Sequence, residues 1–267
     1  MTPRRTTVAG LAALEAVPAG RSRGTVVLVA GFTGSKEDFA PVLPLLAGAG
    51  WRLVAIDQRG QYESPGTPDP AAYTVSALAD DLLAVVDAAG APVQLVGHSF
   101  GGLVSRAAVI RRPAAFSGVV LLGSGPDALI GPRAEVLAAV GPLLDAGGTR
   151  AVADGAAALA LTDPARPPQS AELRAFLHAR HVANDPTGLR AMGEALLGEP
   201  DRVEELRATG VPVLVAHGAA DDAWTPAVQR QMATRLGAAY EVIGASVHSP
   251  ATENPAATAA ALLRFWG

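Results

Sequence analysis

The sequence predicts an α/β protein: a mostly parallel, doubly wound sheet interrupted by a block of helices. Three observations carry this. Apolar runs of strand length recur at 25–30, 51–57, 93–96, 118–123 and 211–217, and segments of helical spacing separate the first four. Such runs mark strands buried on both faces, and their alternation with helices implies parallel pairing through right-handed crossovers. The stretch 124–210, by contrast, reads as helices alone. Finally, residues 93–106 read as strand, very tight turn and helix, with the turn spelled Gly97-His98-Ser99-Phe100-Gly101.

Length and composition agree with this class. The chain has 267 residues, 49% of them hydrophobic, enough for a large core in one domain with an insertion. The formal net charge of −4 comes without a long basic or acidic block, so neither a nucleic-acid partner nor a polybasic membrane anchor is expected. Cysteine is absent, which excludes disulfides and thiolate chemistry and fits a reducing, cytoplasmic location. The first twenty residues contain two arginines and a mildly apolar stretch. Gly10 and Glu15 break that stretch, so it is read as the first strands of the fold and not as a leader. No apolar run approaches the length that spans a bilayer.

In chain order, 6–17 forms one or two edge strands. The strand at 25–30 ends in the glycine-rich turn Gly31-Phe32-Thr33-Gly34-Ser35. Ser35, with Asp38 three residues on, offers a capping-box-like start to a helix carrying Phe39, Val42, Leu45 and Leu46. The strand at 51–57 leads into Asp57-Gln58-Arg59-Gly60 and a Pro- and Gly-rich loop to Tyr73. A helix from Thr74 or Ser76 presents Leu78, Leu82, Val85 and Val86. After the strand–turn–helix unit and the strand at 118–123 come helices near 132–146, 149–161, 170–182 and 186–197. The core is thus assigned to 1–123 and 211–267, and 124–210 to a helical cap over the carboxyl edge of the sheet. A helix at 229–236, a strand at 240–243 and a helix at 255–266 close the chain.

Ligands of open parallel sheets sit outside the carboxyl ends of the strands. Four strand ends bring chemistry to that rim: Gly31-Phe32-Thr33-Gly34, Ser99, Asp221 with Asp222, and His248. A serine on so tight a turn is strained and exposed at a helix N-terminus, where backbone N–H groups favour developing negative charge. Serine needs a base to take its proton, histidine suits that task near neutral pH, and an acid fixes the imidazole tautomer. The order serine, acid, histidine is the one expected for a serine elbow on such a sheet.

These pieces, together with Asp57-Gln58-Arg59-Gly60, Gly97-His98-Ser99-Phe100-Gly101-Gly102, His217-Gly218-Ala219-Ala220-Asp221 and His248-Ser249-Pro250, resemble the α/β-hydrolase family over nearly the whole chain. The resemblance is to its capped esterases, dehalogenases, epoxide hydrolases and cofactor-free haloperoxidases. It implies Ser99 as nucleophile, His248 as general base and Asp221 as the acid, with Asp222, four residues before Pro226, as the alternative. It also implies oxyanion donors from the backbone N–H groups of Phe32 and Phe100, and no cofactor. The family often has a histidine where this chain has Ala30.

Dehalogenases and epoxide hydrolases of the family carry a carboxylate at the elbow, so Ser99 points instead to an acyl-enzyme. The expected reaction is hydrolysis of a small, largely apolar ester, thioester or lactone. The alternatives are carbon–carbon bond hydrolysis or perhydrolysis with the same triad, and, outside enzymes, a low-turnover ligand sensor or partner-binding regulator. Phe32, Phe100 and Trp224 are expected at the pocket mouth, Trp224 alternatively in cap-to-core packing. His98 is expected to point away from Ser99, His217 to be a structural hydrogen bonder, and Arg59 to pin the loop after Asp57. His178 and His181, three apart on a helix, have no acidic or thiol cluster nearby to make a metal site.

Overall fold

The computed structural model describes residues 2–162 and 169–267; residues 163–168, within the expected insertion, lie outside the described residues. Eight strands form one sheet: β1 Arg4–Val8, β2 Leu11–Ala16, β3 Gly24–Val29, β4 Trp51–Ile56, β5 Val93–His98, β6 Phe116–Leu122, β7 Val213–Gly218 and β8 Ala239–Ile243. Their spatial order is β1-β2-β4-β3-β5-β6-β7-β8. The hairpin β1–β2 is antiparallel and β2 joins β4 antiparallel. All other pairs are parallel. The chain winds outward from β3 to β4 on one side and to β5 on the other. The crevice between the carboxyl ends of β3 and β5 is therefore the topological switch point, where such sheets bind ligands.

Alternation along the strands separates two cores. Val27, Val29, Val54, Ile56, Leu95 and Val119 face α2 (Val75–Ala89) and α3 (Phe100–Arg111). Val26, Leu28, Leu53, Ala55, Val96 and Val120 face the other side, with Leu46 of α1 (Leu43–Gly48) and Leu262 of α11 (Pro255–Trp266). Burial on both faces is why these strands read as continuous apolar runs.

Between β6 and β7 the described residues form α4 (Pro132–Ala138), α5 (Val140–Thr162), α6 (Ala171–Val182), α7 (Pro186–Gly198) and α8 (Val203–Ala208). The break expected between helices at 146–149 exists as a kink: Gly147 and Gly148 leave helical geometry inside α5, Gly148 at φ +65°. After β7 come α9 (Pro226–Leu236) and α10 (Pro250–Glu253). Two boundaries differ from the sequence expectation. The helix expected at 132–146 is split at Ala139 between α4 and α5. The helix after Ser35 is a single 3-10 turn, Lys36–Phe39, followed by α1, because Pro41 and Pro44 have no N–H to extend a helical ladder. Leu45, placed on the buried stripe, is exposed, whereas Phe39, Val42 and Leu46 are buried. Helices α8 and α10 are too short to leave a periodic signal.

Arg106 of α3 ties both ends of the helical block to the sheet. Its buried guanidinium donates to the Pro126 carbonyl where the chain leaves β6. It also donates to Glu199 at 2.9 Å and to the Pro200 carbonyl at 3.2 Å, just beyond α7.

Candidate active site

Ser99 is the single residue between β5 and α3, at φ +53° and ψ −121°, a left-handed backbone that a side chain occupies only under strain. The surroundings hold it there. Its N–H donates to the Leu122 carbonyl at 2.9 Å, and its carbonyl accepts from the Gly102 N–H at 2.8 Å. A Cβ on Gly101 would stand 2.4 Å from the Val29 carbonyl oxygen, and one on Gly97 would stand 2.5 Å from that of Gly101. The glycine spacing is thus a packing requirement: strand, turn and helix touch backbone to backbone.

The Ser99 hydroxyl lies 3.0 Å from His248 Nε2, and His248 Nδ1 lies 3.0 Å from Asp221 Oδ1. An ionised carboxylate only accepts, so Nδ1 carries the proton and Nε2 is left to accept from the serine O–H. Asp221 is buried at the end of β7. It accepts further bonds from the Ala223 N–H and from Gln229 Nε2, both at 3.0 Å. Burial pushes its carboxyl up, but the bonds from His248, Ala223 and Gln229 outweigh this and leave it below the usual carboxylate range.

Asp222, the alternative acid, faces the other way. It is 46% exposed and pairs with Arg133 of α4, Nε to Oδ2 at 3.0 Å and Nη2 to Oδ1 at 2.6 Å. The structure therefore brings Asp221, and not Asp222, to His248. Gln229, one turn into α9, has no signal in the sequence; a buried glutamine next to an acid becomes visible only once α9 docks against β7.

The His98 ring lies 5.0 Å from that of His248, and its Nε2–H donates to the His248 carbonyl at 2.8 Å, so it does not bond Ser99. Burial, then repulsion from His248, lowers its pKa to about 4, so it is neutral near pH 7. His217 is buried and bonds the Gly218 carbonyl through Nδ1 and Tyr240 through Nε2. Arg59 binds Asp81 of α2, Nε to Oδ2 at 2.7 Å, and so pins the loop after β4. His178 pairs with Asp154, and His181 bonds the Leu177 carbonyl. Among the described residues no group of three or more His, Asp or Glu is placed to hold a metal ion.

Phe32 is half-buried and its ring faces Gly193 of α7. Trp224, expected at the pocket mouth, is 3% exposed. Its indole is packed so closely over Gly125 that a Cβ there would stand 2.0 Å from it. That placement leaves Trp224 little open surface. Among the described residues neither the Phe32 N–H nor the Phe100 N–H is taken up by an acceptor of the chain. Gly31 lies against the serine: a Cβ on it would be 3.0 Å from Ser99 Cβ. No helix of the described residues is long and apolar enough to cross a membrane.

Comparison with known proteins places this geometry in context. The chain is 39% identical over 129 residues to a Variovorax paradoxus protein provisionally named carbamate hydrolase RutD, a match covering 47% of each chain. It is 40% identical over 96 residues to epoxide hydrolase B of Mycobacterium tuberculosis, covering 36% of this chain and 27% of that one. The chain thus spans about half or less of the length of these curated relatives. A structure from work on carboxylesterases of Nitrososphaera gargenis superposes with a TM-score of 0.80 at 20% identity, covering 98% of this chain and 97% of that chain. The enol-lactonase from Burkholderia xenovorans does so with a TM-score of 0.77 at 24% identity, covering 98% and 99%. At these identities the likeness is one of fold. A family model described as the alpha/beta hydrolase fold matches residues 24–255. With the strand order and the serine elbow in agreement, the chain belongs to the alpha/beta hydrolase fold family.

Proposed function

We propose that this protein is a serine hydrolase of small, largely apolar carboxylic esters, thioesters or lactones. The observation that carries the reading is the unbroken chain of 3.0 Å contacts from Ser99 through His248 to Asp221, on a strained elbow. His248 Nε2 accepts the serine proton as Oγ attacks the acyl carbon, and Asp221 stabilises the imidazolium that forms. The negative charge on the acyl oxygen is met by the N–H groups of Phe32 and Phe100, the latter at the N-terminus of α3. The imidazolium then gives its proton to the leaving alkoxide or thiolate. Water, deprotonated by His248, releases the acid from the acyl-enzyme.

Ser99 is 8% exposed, so a substrate reaches its hydroxyl past close neighbours. The likeness to an epoxide hydrolase does not extend to its chemistry. Epoxide opening in this family forms an alkyl ester on a carboxylate, and the elbow here is serine. A carbamate is an acyl compound and would pass through the same steps.

The test is a pre-steady-state burst with p-nitrophenyl esters of graded acyl length. A burst matching the enzyme concentration is expected with the acetate, shrinking as the acyl chain lengthens and absent from Ser99→Ala. A folded wild type with neither burst nor turnover across the series overturns the reading.

A further inference from the structure

We propose that Gln61 is a positioning residue for the oxyanion donor on Phe32; the proposal rests on the acyl-enzyme reading above. The Gly31 carbonyl and the Phe32 N–H are the two ends of one planar peptide and point in opposite directions. Holding the carbonyl therefore aims the N–H. Gln61 Nε2 donates to the Gly31 oxygen at 2.8 Å, and the Gly34 N–H donates to the same oxygen at 3.0 Å. Both lone pairs of that carbonyl are thus used, which leaves the peptide plane no soft rotation. Hydrogen bonds in series also polarise one another, so a doubly bonded carbonyl makes the N–H beyond it a better donor.

The amide of Gln61 is itself oriented. Its Oε1 accepts from the Gln58 N–H at 3.2 Å, so Nε2 must be the end facing Gly31. Gln61 is fully buried. Its neighbour Gln58 sends Nε2 to the Ala30 carbonyl at 2.9 Å, one residue upstream. Two glutamines from the loop after β4 thus clamp two successive carbonyls of the loop after β3. The clamp is anchored below by the buried pair of Lys36 and Asp57, Nζ to Oδ2 at 2.7 Å, and by Glu63 at 2.7 Å from the same Nζ. Burial works against the ammonium, but Asp57 and Glu63 outweigh it and raise the Lys36 pKa.

A backbone donor cannot be deleted by changing its own side chain, and Gln61 supplies a handle on it. Gln61→Met keeps the bulk and removes the donor; Gln61→Glu keeps the shape and sets an acceptor against the Gly31 oxygen. Both are assayed with p-nitrophenyl acetate. Each is also titrated with a trifluoromethyl ketone, which forms an oxyanion adduct with the serine, and with the same ketone without fluorine. In the variants kcat is expected to fall about tenfold, less than the hundredfold or more typical of losing a donor outright. KM should stay within about twofold, trifluoromethyl ketone affinity should fall by the same factor as kcat, and binding of the plain ketone should not change. The amide ¹⁵N resonance of Phe32, which senses hydrogen bonding at the preceding carbonyl, should shift in the variants without any ligand.

Unchanged kcat in a folded variant, or equal losses for both ketones, overturns the positioning role, as does an unmoved Phe32 resonance. If Gln61→Met does not fold, Gln61→Glu decides. Wild type that gives no burst overturns the acyl-enzyme reading and this proposal together, whereas a wild-type burst with an unaffected variant overturns this proposal alone.

Discussion

The sheet and the helical block between β6 and β7 share an apolar core but differ in how much apolar surface they leave exposed and in how far polar contacts supplement it. In the sheet, Val26 to Val29, Leu53 to Ile56 and Val119 to Leu122 are essentially without solvent contact, and stability comes from apolar burial on two faces. The helical block exposes Ile130, Val136, Leu159, Leu161 and Leu173. It is fastened at points, many of them polar: Arg106 to both of its ends, Arg133 to Asp222, and Arg180 to Asp38 at 2.5 Å. The proposed reacting groups all lie on the sheet side. The block meets them at the Phe32 ring, which faces Gly193, and through neighbours: Asp222 adjoins Asp221, and Asp38 follows the Gly31–Phe32 turn. The proposed reacting groups thus sit on elements buried on two faces, and the block beside them combines apolar burial, as at Leu137, Met192 and Leu196, with discrete polar contacts.

The sharpest way to break this contrast is at the two adjacent aspartates. Asp221→Asn should lower kcat on p-nitrophenyl acetate by on the order of 10⁴-fold, since an amide no longer enforces the histidine tautomer. Asp222→Asn should leave kcat within about threefold, because it removes only an exposed partner of Arg133. Comparable losses in the two variants would mean that the contact of the helical block, and not the sheet, governs turnover.

Next in size is Arg106→Met. Removing one member of a buried ion pair strands Glu199 and the Pro126 carbonyl, a loss of about 3–5 kcal/mol. Urea unfolding should show it as a lowered midpoint. A change below about 1 kcal/mol would show that the block is held mainly by its apolar contacts.

His98 offers a test within the sheet half. Its folded pKa of about 4 lies below its ordinary value of 6.5, so the unfolded chain takes up the proton first as the pH falls. Its contribution to stability is present above pH 6.5 and lost progressively down to pH 4, at most about 3 kcal/mol. His98→Gln, which can still donate to the His248 carbonyl, should flatten thermal stability against pH in that window. An unchanged slope would remove His98 as its source.

The smallest effect is expected at Arg133→Gln. The pair with Asp222 is partly exposed and should be worth less than about 1 kcal/mol, fading further in 1 M salt. A larger shift in the melting temperature, insensitive to salt, would make this contact a structural anchor in place of a peripheral one.

Where interactions are local, the sequence was legible. The central parallel strands β3 to β7 show as apolar runs because both faces are buried, whereas the half-exposed edge strand β8 does not, and the elbow shows because Gly97, Ser99 and Gly101 answer to backbone contacts within a few residues. Asp221 could be ranked above Asp222 by spacing, but neighbouring residues diverge at a turn. Which one faces His248 depended on where β7 ends and on Gln229 and Ala223 closing around the first carboxylate. The early end of the helix after Ser35 is written in Pro41 and Pro44, which outweigh the helical apolar spacing there.

Gln61 shows the opposite limit. In the chain it is a polar residue in a Pro- and Gly-rich loop, indistinguishable from a solvated one. Its burial follows from β3 and β4 lying side by side, which sets the loop after one strand against the carbonyls after the other. Trp224 behaves alike: aromatic character alone suits a pocket wall or a core, and the close approach of Gly125 places it in the core. Local pattern thus specifies strands, turns and the residue types offered to the rim of the sheet. Which of those residues face each other is a property of long-range packing, because contacts across thirty to a hundred and fifty residues leave no periodic trace along the chain.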